Sequence, residues 1–463
     1  MRITLRSAFI GLSLAAVGAP ARGGPAGPAV VADPKEASAA ARLEGEDKTY
    51  EQLINYIQEN YVDPVDTQKL VYGAAGGMVR TLDPFSQFME PEAHREIKAE
   101  TEGEFGGIGI RMIVKDDWLT VLTPLPDTPA YRAAVLPNDR IIEIDGESTK
   151  DLQVADAMEK LRGPPGSKVK ITVMRWPESG DGTGGIGSSA GAEMKISSGA
   201  AAAAAPEEDG VEKEFRLTRE NIKIESVQYR KLAGQVGYVR ISEFSARTTE
   251  DFRGAMRALS QDGLAGLVLD LRFNPGGLLA SAVDVAASFL GGERLIVYTQ
   301  GRRPDSRQEF RGAAQAPYQD LPLVVLVNEA SASGSEIIAG ALQDHHRALL
   351  MGERTYGKAS VQSVITLPNN CALRLTIARY YTPNGRSIHR DEKKKTGGIM
   401  PDIVIQAPRD VQDKIFAQWE MIYEPGKKPR SAVKKDEIAR DEVLDRAAAL
   451  IRAGDVLGRL KGK

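Results

Sequence analysis

Apolar positions first recur with helical spacing in "YEQLINYIQENYV" (50–62), where Leu53, Ile54 and Ile57 share a stripe, and a second helix follows in "TQKLVYGAAGGMVRTL" (67–82). The period then shortens. Residues 104–175 carry "GGIGIRMIV", "WLTVLTPL", "DRIIEIDG" and "KVKITVMRW" around two short helical segments, the pattern of a compact β-rich module. Gly, Ser and Ala dominate 177–210, which cannot support a packed core and predicts a disordered insertion; "EKEFRLTR" then resumes a strand. From about residue 235, apolar runs ("VGYVRI", "GLVLDLR", "LPLVVLV") alternate with helical segments ("DFRGAMRALS", "LLASAVDVAASFL", "SEIIAGALQD"). Strands with so few polar residues, each followed by a helix, predict a buried α/β sheet. Near the C-terminus "RDEVLDRAAALIRAG" places Val443, Leu444, Ala447, Leu450 and Ile451 on one face, suited to docking or oligomerisation, or to packing on the chain's own core.

Composition narrows the function. With 463 residues and 42% hydrophobic content, the chain has material for two or three domains. A net charge of -3 gives no basis for a nucleic-acid partner, and the short Lys-rich runs read as solvated surface. The single Cys371 excludes an intramolecular disulfide and any multi-cysteine metal site. His94, His345, His346 and His389 lack zinc-protease spacing, so neither a metal nor another cofactor is expected. Arg2 and Arg6 ahead of "AFIGLSLAAVGA", then "APA" ending at Ala21, predict an export signal, with a second cleavage candidate at Ala32 and an uncleaved anchor as the alternative.

Two segments carry candidate chemistry. "MGERTYGKASVQS" (351–363) looks like a phosphate loop, but Ala359 stands where a magnesium-binding hydroxyl belongs, and "SVQSVITL" reads as a strand where a helix is required. Upstream, "VVLVNEASASGSEIIAGALQD" (324–344) runs from a strand through a small-residue turn into a helix. Ser333 there would meet backbone N–H groups and a helix N-terminus that favours developing negative charge, although Ser331, Ser333 and Ser335 all suit simple helix capping. A third turn, "RFNPGG" (272–277), offers Gly276 and Gly277 as further backbone donors.

The turns "SASGSEI" and "GERTYGKASVQ", with "YVDPVD", "LDPFSQFME" and "YYTPNGRSIHRDEKKKTGGIMPDIVI", resemble the carboxyl-terminal processing proteases, PDZ-containing serine peptidases of the tail-specific type. The resemblance implies Ser333 as nucleophile, Lys358 as general base, Gln362 as the residue supporting the lysine, and an oxyanion hole from the N–H of Gly334 with one from Gly276 or Gly277. It also implies that the β-rich module is a PDZ domain, with "FGGIGI" (105–110) as its carboxylate loop through Gly107, Ile108, Gly109 and Ile110. The expected fold is multidomain α/β: signal 1–21, tail 22–44, helical region 45–98, PDZ domain 99–220 with the insertion 177–210, peptidase core 221–407 and helical C-terminal region 408–463. Expected partners are proteins or peptides with accessible C-terminal tails, in the periplasm or another exported location; a homo-oligomer and an activating adaptor protein stay open. Departures from the family pattern are Gly334, where alanine is common, and the insertion. Rival readings are a catalytically silent peptide-binding scaffold and a Ser-His-Asp hydrolase using His345 or His346.

A Ser-Lys pair makes one physical demand. An ordinary lysine, with a pKa near 10.4, is neutral in only about one molecule in 2,500 at neutral pH, a penalty of roughly 4.6 kcal/mol. Burial has to lower that pKa before Lys358 can accept a proton.

Overall fold

The computed structural model describes residues 48–115, 117–152, 154–176, 210–391, 396–422 and 439–461; the expected signal, tail and nearly all of the insertion lie outside them. Packing divides the chain into residues 1–74 and 75–463. In the first unit a helix covers 48–60, with Ile54 and Ile57 half-buried and Leu53 exposed. The next helix, Thr67–Arg80, begins where the Asp66 carboxylate accepts the Gln68 N–H at 2.8 Å.

Within the second unit the β-rich module is a sheet in the order Ile110–Lys115, Trp118–Pro124, Arg140–Ile144, Lys168–Arg175, Val211–Thr218. Leu119, Val121, Ile141, Ile171 and Val173 form its core with Ala157 and Leu161 of the helix Val154–Leu161. Strands Lys168–Arg175 and Val211–Thr218 pair in unbroken register from Lys168 with Thr218 to Arg175 with Val211. Residues 177–209 therefore join two strands that are already neighbours.

A second sheet runs Val227–Leu232, Val236–Ile241, Gly266–Asp270, Leu323–Val327, Leu349–Gly352, Ile403–Val404, parallel after its first antiparallel pair. Alternation along the strands sorts its two faces. Val239, Ile241, Leu267, Leu269, Val325 and Val327 pack on helices Thr248–Ser260, Leu279–Ala287 and Gly334–Asp344. Tyr238, Val268, Val324 and Leu326 face the other way, against Val443, Leu444, Ala447 and Ile451. The C-terminal helix Glu442–Lys461 thus spends its apolar stripe on its own core. Leu450 is a correction to that stripe: it is exposed, and Ala448 is buried instead. At 100° per residue, Leu450 falls roughly 90° from the centre of the buried face.

A third sheet joins Gln87–Met89, Ala372–Tyr381, Leu295–Gly301 and Gln308–Arg311, with Ser360–Thr366 on the other edge of Ala372–Tyr381. Ser360–Thr366 is the strand expected after Lys358.

Candidate active site

Three neighbouring parallel strands, Gly266–Asp270, Leu323–Val327 and Leu349–Gly352, release their chains at the same sheet edge, where open α/β sheets form ligand sites. The first turn is locked by a buried ion-pair chain. Arg272 donates from Nη2 to Asp270 Oδ2 and to Asp441 Oδ2, both at 2.6 Å, and Tyr238 Oη donates to Asp270 Oδ2 at 2.9 Å. Asn274 then sets the glycines, its Nδ2 donating to the Ile241 carbonyl at 2.9 Å and its Oδ1 accepting the Gly276 N–H at 2.8 Å. Gly276 is thereby engaged. Among the described residues Gly277 N–H has no acceptor, since its turn bonds the Phe244 strand through Gly276 O and Leu278 N instead.

In the second turn the three serines part ways. Ser331 Oγ donates to the Leu271 carbonyl at 2.8 Å and Ser335 Oγ to the Asn274 carbonyl at 3.0 Å, both fully buried and structural. Ser333, half-buried, opens the helix Gly334–Asp344 with φ 53° and ψ -111°. A side chain held there costs about 1–3 kcal/mol, a strain concentrated at functional turns. Room for it comes from Gly276, where an added Cβ would lie 2.6 Å from Ser333 Cβ. The departure at Gly334 has a local cause: a Cβ there would stand 2.8 Å from the buried Phe244 ring.

One carboxylate joins the second turn to the third. Glu336 Oε2 accepts the N–H groups of Ser333 and Lys358, each at 2.9 Å, while Oε1 accepts from Gly357 N at 2.7 Å and Thr355 Oγ1 at 2.6 Å. The amides that would cradle a phosphate are therefore occupied by the protein's own anion. Burial pushes the Glu336 pKa up to about 7, against the pull of those four donors. The Lys358 amine is pushed below the usual lysine range, first by burial and then by the Arg374 cation, with Glu336 opposing. Its Nζ lies 5.3 Å from the centre of the Phe85 ring, a contact that favours the charged form.

Gln362 sits on the strand after Lys358, and its Nε2 donates to the Phe85 carbonyl at 2.6 Å. That bond fixes the amide and leaves Oε1 as its acceptor. Phe85 itself is held by Asp83, whose Oδ1 accepts the N–H groups of Phe85 at 2.8 Å and Ser86 at 2.9 Å. His345 is far from this cluster. It closes the other end of an 11-residue helix, roughly 16 Å along the axis, with Nε2 on the Leu295 carbonyl at 2.7 Å, and His346 follows it.

The β-rich module presents a second candidate site. Gly109, at φ 75°, packs so tightly that a Cβ would lie 2.3 Å from Thr128 Cβ. The loop's carbonyls are bound inward, Ile108 O by Ala130 N at 3.0 Å and Gly109 O by Leu125 N at 2.8 Å. Among the described residues the N–H groups of Ile108 and Gly109 have no such partner. Gly107 ends the strand Glu104–Gly107, and Ile110 opens Ile110–Lys115, which lies at the sheet edge beside the helix Val154–Leu161. An edge strand beside a helix, headed by free amides, is the architecture that adds a peptide as an extra strand.

Sequence reasoning did not assign roles to Glu336, Phe85 or Asn274. Glu336 had a signal, because "SEI" stands inside the serine motif; the others depend on long-range packing.

Comparison with known proteins matches residues 235–405 to "Peptidase family S41", 120–175 to "PDZ domain" and 29–93 to "Activating protease CtpB N-terminal domain". The chain is 37% identical over 376 residues to a carboxy-terminal-processing protease of Bartonella bacilliformis, covering 78% of this chain and 77% of that one. It is 36% identical over 360 residues to a carboxyl-terminal-processing protease of Synechocystis, covering 76% and 75%. Among solved structures, a photosystem II D1 C-terminal processing protease is 28% identical, covering 77% of this chain and 92% of that one with a TM-score of 0.40.

Proposed function

Because this chain belongs to the carboxyl-terminal-processing serine proteases of peptidase family S41 that carry a PDZ domain, we propose that Ser333 is its nucleophile and Lys358 its general base. The observation that carries the pairing is the Glu336 carboxylate, which takes the Ser333 and Lys358 amides on a single oxygen. In this reading the neutral Lys358 amine removes the Ser333 proton, Oγ attacks the peptide carbonyl, and the leaving amine takes the proton from Lys358. Water then hydrolyses the acyl-enzyme by the same route. Gln362 Oε1 orients the lysine from an amide anchored on Phe85. The developing oxyanion is received by the N–H of Gly334 at the helix terminus and by Gly277, since Gly276 already donates to Asn274.

The substrate is a protein whose C-terminal carboxylate enters the loop of Gly107, Ile108, Gly109 and Ile110, its tail extending along Ile110–Lys115. The first 21 residues direct export, so substrates are sought in the cell envelope.

Purified protein incubated with envelope extract should create new protein C-termini, read by mass spectrometry, and Ser333→Ala and Lys358→Ala should each lose that activity while staying folded. His345→Ala and His346→Ala should keep most of it. A folded Ser333→Ala protein with full activity would falsify the assignment.

A further inference from the structure

Tyr380 reaches the site from the third sheet, on the strand Ala372–Tyr381. Its backbone N–H donates to the carbonyl of Ala359 at 3.0 Å, next to Lys358, and it pairs across the sheet with Thr299. The ring is 2% exposed and belongs to the main core cluster. Its hydroxyl stands beside Ser333, close enough for that side chain to act on it, yet Oη has no completed hydrogen bond among the described residues. A buried hydroxyl in that condition costs about 1–3 kcal/mol, and phenylalanine would avoid the cost with the same ring.

We propose that Tyr380 is a further catalytic residue, whose hydroxyl donates to Ser333 Oγ whenever that oxygen carries negative charge. The proposal rests on Ser333 as the nucleophile. During attack, the Ser333 proton passes to Lys358 Nζ and electron density builds on Oγ. In deacylation the bond from the acyl carbon to Oγ breaks, its electron pair stays on Oγ, and the proton returns from Nζ. Tyr380 keeps its own proton throughout and supplies a hydrogen bond that is incomplete at rest. Burial, with the Glu336 carboxylate adding to it, holds the phenol well above its ordinary pKa, so it stays a donor across the working range. An oxyanion-hole donor is worth a factor of about 100 to 1,000, and a donor to the serine oxygen, which carries less of the developing charge, is worth at most the lower end of that range.

The test uses the full chain with Tyr380→Phe. Activity on a peptide substrate should fall about 10- to 100-fold in kcat and equally in kcat/KM, with KM unchanged, while Tm stays level or rises. With an activated ester, intact mass should reveal acyl-enzyme at Ser333 persisting longer than in the wild type. A kcat within twofold of wild type, with the same acyl-enzyme lifetime, overturns the proposal and gives the hydroxyl a packing role only. If no acyl group ever appears on Ser333 in the wild type, the nucleophile assignment fails first. Should Tyr380→Phe not fold, 4-fluorophenylalanine at 380 fills the space of the hydroxyl without donating a hydrogen bond. Its kcat should fall by the same 10- to 100-fold, and a kcat within twofold of wild type overturns the proposal.

Discussion

Lys358 has to be neutral to accept a proton, and two features of its surroundings push it that way: burial, then Arg374. Because its pKa lies below the usual 10.5, activity should rise with pH and level off before an exposed lysine would. Arg374→Gln removes a cation, makes the ammonium easier to form, and should move that rising limb to higher pH with a several-fold loss at neutral pH. A limb that stays in place in the kcat/KM profile would assign the titration to another group. Glu336 adds a second pH sensitivity. With its pKa raised to about 7, its ionisation opposes folding as pH climbs from the ordinary carboxylate range to that value, while its protonation below it withdraws a lone pair from the Ser333 and Lys358 amides. Glu336→Gln keeps the shape but turns N–H donors toward donors. It should lower kcat at least about a hundredfold, measured on a peptide substrate, since displacing the reacting groups by about 1 Å costs that much.

At the scale of elements, much was legible because local patterns and packing agree. The strand after Lys358 shows as β-branched alternation in "SVQSVITL", and the Ser333 turn as a run of small residues between an apolar strand and a helix. What stayed hidden are contacts made across long sequence separations. Gln362 meets Phe85 277 residues away, and Arg272 meets Asp441 169 residues away. No local period encodes such pairs. That Gly276 rather than Gly277 has its N–H engaged at rest was hidden for the same reason, since the acceptor is the side chain of Asn274. The Arg272 chain also gives a measurable outcome. Arg272→Met leaves Asp270 and Asp441 without their cation, and should cost about 3–5 kcal/mol in denaturant unfolding. A loss below about 1 kcal/mol would show that water replaces the guanidinium.

Over the whole molecule, capture and cleavage use different chemistry in different modules. Amidating a substrate's C-terminus removes a charge from the group proposed to meet Gly107, Ile108 and Gly109, but leaves the scissile bond untouched. Each charge-assisted hydrogen bond is worth about 1.5–3 kcal/mol, so kcat/KM for a long substrate should fall about ten- to a hundredfold, while a short peptide that reaches only the peptidase core should be indifferent. Equal rates at every concentration would remove the carboxylate role from that loop.

The tie between Arg272 and Asp441 also sets a timetable. Synthesis proceeds at about 5–20 residues per second, so the carboxylate that completes the buried chain is made on the order of 10 to 30 s after the arginine that needs it. Until then the turn carrying Gly276 and Gly277 lacks its final clamp, and the face bearing Tyr238 and Val268 lacks the helix that covers it. If Ser333 and the Gly276–Gly277 turn form the catalytic centre proposed above, a growing chain should stay an unfinished hydrolase until that late segment arrives. Chains stalled before residue 441 has emerged should fail to label with a serine-reactive fluorophosphonate, and those stalled well beyond it should label. Equal labelling of both would show that the turn sets without its distant clamp.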